Sequence, residues 1–272
     1  MTRSDYDRRR FLTGAGATLA VGLAGCLGGG GDDEMTDDGD GMEDTDDGDG
    51  MEETDDGMMA TEFVVTVHNV SDSSTLSTSD GSVPVPLSPV AYAVAEDGGH
   101  LFETGEAASE GLERLAEDGS PADLAESLEM EDVHAGTAAV PKGGEDPAPI
   151  GPGEAYEFTV EAHDGQHLSL ATMFVQSNDL FYAPAEEGIP LYEMEEPVDG
   201  DVTDRLTLWD AGTEENEEPG VGEHQAPRQM ETDSGPDEDG TVRPVDDVED
   251  GYDYPAVGDV VEVTITPGGM DG

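Results

Sequence analysis

Acidic residues outnumber basic residues so strongly that charge repulsion limits the conditions in which this chain can fold. The sequence holds 67 Asp and Glu against 9 Lys and Arg, which gives a formal net charge of -58. Repulsion of this size opposes a compact state in dilute buffer, whereas molar salt shortens the Debye length to ~3 Å and screens it. An acidic chain with a single lysine, Lys142, is typical of halophilic organisms. The charge also excludes nucleic acid as a direct partner, because phosphate binding depends on Lys and Arg.

The start of the chain carries two motifs that predict export. Arg8 and Arg9 precede a short apolar run and resemble the twin-arginine signal. The run is shorter than the ~20 apolar residues that span a bilayer, so residues 1–25 are predicted to be a cleaved signal peptide. Leu23–Cys26 resembles a lipobox, which predicts a lipid on Cys26 and attachment at the extracellular face of the cell membrane. The alternative is a chance Arg-rich start and a stray buried cysteine.

Residues 26–60 are predicted to be a disordered acidic tether between the lipid and a folded domain. A nine-residue Thr-Asp-Asp-Gly repeat begins at Thr36 and Thr45 and returns, shortened, at Thr54. The segment has no apolar periodicity, so it cannot bury a core, and its like charges keep it extended. Its Asp-x-Asp-Gly pattern is similar to calcium loops, but the closing Glu and flanking helices of an EF-hand are missing. A solvated spacer is the favoured interpretation.

Hydrophobic alternation begins at Thr61 and predicts a mainly β domain over residues 61–267. Phe63, Val65 and Val67 alternate with polar or β-branched neighbours, and the segment Asp259–Pro267 shows the same period of two. Strand pattern follows strand pattern between them, with two helices inserted between the early strands. This predicts an antiparallel β-sandwich in one domain.

Two short helices and one long loop interrupt the strand pattern. Leu112 and Leu115 share one helical face ahead of Gly119, and Ser120-Pro121 is a typical start for a second helix. The segment 211–250 is rich in Pro, Gly and charge, which predicts an acidic loop insert within the sandwich.

No catalytic motif emerges from the sequence, so the chain is not expected to be an enzyme. There is no Gly-x-Ser-x-Gly elbow, His-Glu-x-x-His or P-loop, and the only cysteine is assigned to the lipid. Asp179 and Asp210 stand at the ends of predicted strands, where carboxylates suit Ca²⁺, which prefers oxygen ligands from loops. On spacing alone, the favoured interpretation is that both residues cap turns through their own hydrogen bonds.

Three segments resemble the spondin N-terminal domain in order and separation: Phe102–Gly119, Leu170–Asp179 and Asp210–Asn216. The resemblance covers roughly Thr61 to Pro267 and implies a β-sandwich related to C2 domains. Family members from animals are adhesion and matrix proteins whose sandwich binds one calcium ion at the loops of one end.

Matching the family's ligands to this sequence assigns calcium to Asp179 and Asp210. The third family ligand is a Glu on the preceding strand, for which Glu161 is the best match and Glu157 the alternative. The chain departs from the family pattern in lacking the animal domain's cysteines and in carrying the acidic insert after Asp210. Integrin or matrix binding is therefore not carried over.

Together these features predict a lipid-anchored, non-enzymatic surface protein that binds calcium and serves adhesion or ligand recognition. Its partners would be the membrane, through Cys26, and an extracellular protein or glycan. The alternative is a solute-binding or enzyme-accessory lipoprotein with a cleft near Trp209, Phe181 and Tyr182.

Overall fold

Two antiparallel sheets packed face to face confirm the predicted mainly β sandwich. The structure is a computed structural model that describes residues 60–96, 98–129 and 133–268. The predictions for Arg8, Arg9, Cys26 and the acidic tether fall on residues 1–59 and lie outside the described part of the chain.

The strands of the described residues follow in chain order: β1 Thr61–Asn69, β2 Leu76–Thr78, β3 Gly81–Val83, β4 Val90–Ala95, β5 His134–Ala138, β6 Ala155–Ala162, β7 His167–Met173, β8 Leu180–Pro184, β9 Ile189–Pro190, β10 Tyr192–Glu193, β11 Glu196–Pro197, β12 Gly200–Asp201, β13 Leu206–Asp210, β14 Arg243–Pro244 and β15 Val261–Pro267. Two helices, α1 (Glu110–Asp118) and α2 (Ala122–Glu129), separate β4 from β5. The smaller sheet has the order β12-β15-β1-β6, and the larger has the order β14-β13-β8-β7-β4-β5 with β9 beside β7.

The smaller sheet buries one face only, as the alternation in its sequence predicts. Phe63, Val65 and Val67 of β1 are buried and pair in register with β15, where Val65 lies opposite Ile265. Their side chains enter the core between the two sheets, while the intervening residues face outward. The terminal strand therefore closes the sandwich against the first.

The central strands of the larger sheet are buried on both faces because the helices cover its second side. Every residue of β8 is buried. Leu180 and Tyr182 belong to the core between the sheets, whereas Phe181 and Ala183 pack in a second core beneath the helices. Continuous apolar stretches are the expected sequence of a strand covered on both sides.

Helix α1 ends at Gly119, as its sequence predicts, and begins after Ser109. The hydroxyl of Ser109 accepts the backbone N–H of Leu112 at 3.2 Å, and Gly119 ends the helix with a φ of 69°. Leu112 and Leu115 are fully buried against the sheet. The helix thereby holds its acidic face beside the loops at one end of β13.

No helix in the described ranges is long and apolar enough to cross a bilayer.

Candidate metal centre

Two buried aspartates meet at one end of the larger sheet. Asp179 directly precedes β8, and Asp210 is the last residue of β13. These strands are antiparallel, with Asp210 opposite Leu180, so both carboxylates arrive at the same end. Each side chain is 0 % exposed. The structure thus brings together the two residues that the sequence singled out.

One carboxylate oxygen of Asp179 accepts hydrogen bonds from the protein, and the other accepts none. Its Oδ2 accepts the backbone N–H of Thr213 at 2.8 Å, the Thr213 hydroxyl at 3.3 Å and the backbone N–H of Glu214 at 3.2 Å. Its Oδ1 is buried and has no hydrogen-bond partner. Buried polar atoms are nearly always paired, so this oxygen is open to a cation.

Asp210 shows the same division between its two oxygens. The side-chain amide of Asn216 donates to Oδ2 at 2.6 Å. Oδ1 is buried without a hydrogen bond, although Nη2 of Arg243 lies 3.3 Å away. One oxygen therefore fixes the carboxylate while the other faces the cluster.

Glu238 supplies a third carboxylate from the acidic segment. One oxygen each from Asp179, Asp210 and Glu238 lie within 4.8 Å of one another. The backbone N–H of Glu238 donates to the carbonyl of Thr213 at 2.9 Å, which fixes the returning segment beside the turn after β13. Glu238 Oε2 is also buried and without a hydrogen bond. All three side chains consequently keep a buried oxygen that accepts no hydrogen bond.

The expected third ligand lies elsewhere. Glu161 and its alternative Glu157 are on β6 of the smaller sheet, on its outer face, and both are exposed. Glu157 is ion-paired with Lys142. Alternation along β6 turns both glutamates away from the core, so neither joins the aspartates. The carboxylate that lies beside them is Glu238.

Burial disfavours the ionised form of both aspartates. Loss of solvent, and then the charge of Asp210, raise the pKa of Asp179 to about 7. Burial also raises the pKa of Asp210, against the opposing effects of the Asn216 amide and the Arg243 guanidinium. Such groups are costly in the interior unless a cation compensates them.

A polar network fixes the segment that surrounds this cluster. The carboxamide of Asn178 accepts the backbone N–H of Glu217 at 3.0 Å and donates to Glu214 Oε2 at 3.2 Å. Glu214 is buried, and its other oxygen accepts the backbone N–H of Gly235 at 2.7 Å. The first part of the acidic insert is therefore held against the sandwich by its own carboxylates.

A second acidic cluster lines a neighbouring cleft of about 220 Å³. One oxygen each from Glu113, Glu117 and Asp233 lie within 4.8 Å of one another. None of these oxygens is both fully buried and unpaired. Burial raises the pKa of Glu117, which is 4 % exposed, to about 8, and a hydrogen bond with Thr213 opposes that rise. This cluster lacks the unsatisfied oxygens of the first, so we assign no ion to it.

The raised pKa of Glu117 predicts how a Glu117→Gln variant responds to pH. A carboxyl whose pKa is higher in the folded chain costs stability as pH rises from its unfolded pKa towards its folded one. The free energy of unfolding of the variant should therefore rise relative to that of wild type as the pH increases. We expect this relative gain to reach roughly 1–3 kcal/mol between about pH 5 and pH 9. Urea unfolding in molar KCl without divalent cations measures this. Glu126→Gln, on the exposed face of α2, should follow wild type, and parallel curves for Glu117→Gln and wild type would contradict the prediction.

The solute cleft considered near Trp209 is not formed by those residues. Trp209, Phe181 and Tyr182 are all buried in the two cores. Trp209 packs against Phe102, with ring centroids 4.7 Å apart, and its Nε1 donates to the carbonyl of Ala183 at 3.0 Å. The aromatic side chains therefore stabilise the packing of the helices on the sheet.

Comparison with protein-family models and with curated proteins found no match to this chain.

Proposed function

We propose that this chain is an exported, lipid-anchored surface protein whose sandwich binds one calcium ion at Asp179, Asp210 and Glu238. The observation that supports the site most directly is the convergence of three carboxylates, each with a buried oxygen that no hydrogen bond satisfies. Uncompensated buried charge is strongly unfavourable. A cation bound among these oxygens would remove that cost.

Calcium fits this donor set better than the other common metals. The cluster offers carboxylate oxygens and contains no His or Cys among its three members, which disfavours zinc. The side chains come from two strand ends and an irregular segment, and Ca²⁺ accepts irregular arrangements of oxygens where Mg²⁺ demands near-octahedral geometry. The resemblance to spondin N-terminal domains supports the same ion.

The role proposed for the domain is adhesion or ligand recognition at the cell surface, without catalysis. It rests on the export and lipidation motifs around Arg8, Arg9 and Cys26 and on the family resemblance. The calcium ion would stabilise the loops at one end of the sandwich, where an extracellular protein or glycan would bind.

Calcium titration of the full chain in molar KCl tests the site. Wild type should bind one Ca²⁺ in a step that the Asp179→Asn/Asp210→Asn double variant loses. At about 100 times the dissociation constant, calcium should stabilise wild type against urea by roughly 2.7 kcal/mol. Both proteins keep the acidic N-terminal segment, so weak binding there is common to the two titrations.

Matched variants identify the ligands. Asp80→Asn/Asp164→Asn makes the same charge change on exposed side chains and should bind calcium as wild type does. Glu238→Gln should weaken binding, whereas Glu161→Gln should not. Equal binding by wild type and the Asp179→Asn/Asp210→Asn variant would refute the proposed site.

A further inference from the structure

One basic side chain enters the acidic cluster from the neighbouring strand. Arg243 lies opposite Asp210 in the pairing of β13 with β14. Its Nη2 is 3.3 Å from Asp210 Oδ1 and also donates a hydrogen bond to Glu238 Oε1. Two of the three proposed calcium ligands are thus already in contact with a cation that belongs to the chain.

The guanidinium and a calcium ion would need the same oxygen. Asp210 Oδ2 is committed to the amide of Asn216, which leaves Oδ1 for a metal. Calcium binds carboxylate oxygens at ~2.3–2.6 Å, so an ion on Oδ1 would stand close to Arg243 Nη2. Two cations at that separation repel one another strongly in a buried site. Calcium binding at Oδ1 would therefore require the Arg243 guanidinium to move away from Asp210.

Arg243 is held in a way that permits it to move. The strongest arginine–carboxylate pairs use two parallel hydrogen bonds, but here one nitrogen, Nη2, makes both contacts with the cluster. Its Nε is buried without a hydrogen bond. The side chain is 28 % exposed, so rotation towards solvent would restore hydration to the guanidinium.

The cluster remains negatively charged with Arg243 in place. When all are ionised, three carboxylates and one guanidinium leave two negative charges uncompensated. Arg243 thus reduces the repulsion without neutralising the cluster.

We propose that Arg243 is a displaceable counter-cation, which holds the cluster together without metal and leaves Asp210 when a divalent cation binds. This inference rests on the proposed calcium site and adds its regulation: competition from Arg243 lowers the calcium affinity, so that the site fills only at high divalent concentration. Removing the guanidinium should tighten binding and weaken the metal-free fold.

The test compares full-length wild type with Arg243→Gln in calcium titrations in molar KCl. We expect the variant to bind calcium about ten-fold more tightly, the scale of one charge-assisted hydrogen bond. Without divalent cations it should unfold at lower urea than wild type, and saturating calcium should remove that difference. Arg205→Gln, which loses an arginine paired with Glu193 instead, should bind as wild type does.

The titrations distinguish failure of the Arg243 proposal from failure of the calcium site itself. If wild type binds calcium through Asp179 and Asp210 but Arg243→Gln binds equally or more weakly, the counter-cation role is wrong while the site stands. If wild type shows no binding that depends on the two aspartates, both proposals fall.

A measurement on wild type covers the case in which the variant does not fold. Modification of arginines by phenylglyoxal, followed by mass spectrometry, should show Arg243 reacting faster once calcium is added, with Arg205 unchanged. Reactivity of Arg243 that stays constant or falls on calcium addition would overturn the proposal.

Discussion

Replacing Gly212 by alanine is expected to destabilise the fold by about 2–4 kcal/mol and to weaken calcium binding at least ~ten-fold. Gly212 has a φ of 69°, and a Cβ there would stand 2.5 Å from the backbone nitrogen of Thr241. Such an overlap with backbone forces the two segments apart. The segments are those that present Thr213 to Asp179 and carry Glu238 into the cluster. Urea unfolding and calcium titration measure the two effects.

Gly143→Ala separates the effect of backbone conformation from that of the overlap. Gly143 has a similar φ of 79°, but a Cβ there would have no atom within 4 Å. We expect this control to lose only about 1 kcal/mol, the cost of a positive φ without a clash. It should leave calcium binding unchanged. Equal losses in the two variants would show that close packing of the 212 turn on Thr241 does not matter.

Local sequence patterns were sufficient for the main elements of the fold. The alternation of Phe63, Val65 and Val67 set which face of β1 is buried, and the same rule holds for β15. Ser109 and Gly119, the caps of α1, are equally local signals. The pairing order of the strands is not local, since β1 pairs with β6 on one side and with β15 on the other, and both follow it far along the sequence.

The candidate site was predictable only where its residues flank strong strand patterns. Asp179 and Asp210 each adjoin a buried strand, which marked them among many carboxylates. Glu238 sits in an irregular acidic segment, where nothing in the sequence distinguishes it from the exposed acids around it. Its role depends on hydrogen bonds that return the chain to Thr213, a long-range feature.

The sequence of β6 itself indicates that Glu161 lies on the outer face of the sheet. Along β6, Tyr156 and Val160 share the buried face, so Glu157 and Glu161 must share the opposite one. The family resemblance favoured Glu161, whereas the period of two opposed it. In this chain the period agrees with the structure.

A carboxylate is costly to this fold when it is buried without a compensating cation, whereas an exposed one is not. Replacing the buried Asn69 by aspartate tests this. Asn69 is fully buried at the end of β1, and its amide nitrogen donates to the carbonyls of Val85 at 2.8 Å and Ile150 at 3.1 Å. Its Oδ1 accepts the backbone N–H of Ser71 at 3.0 Å and the Ser71 hydroxyl at 2.6 Å. The side chain therefore joins three segments with no oxygen facing a cation.

Asn69→Asp keeps the shape and both acceptor contacts, yet we expect it to cost about 3–5 kcal/mol at neutral pH. The introduced carboxylate would face two carbonyl oxygens in place of the two donated hydrogen bonds. Asn69→Ala should cost less, about 2–3 kcal/mol, because it leaves unpaired groups without adding a charge. Urea unfolding in molar KCl compares the two variants with wild type.

The pH dependence distinguishes buried charge from lost packing. Burial raises the pKa of a carboxyl, so the deficit of Asn69→Asp should shrink as pH falls and the group becomes neutral, whereas that of Asn69→Ala should stay constant. Gln166→Glu makes the same charge change at the half-buried turn before β7, where Oε1 accepts the backbone N–H of His163, and should shift stability by less than about 0.5 kcal/mol. If Asn69→Asp were as well tolerated as Gln166→Glu, the core of this protein would accommodate a buried carboxylate without a compensating cation. The buried oxygens of Asp179 and Asp210 that accept no hydrogen bond would then be no argument for a bound cation.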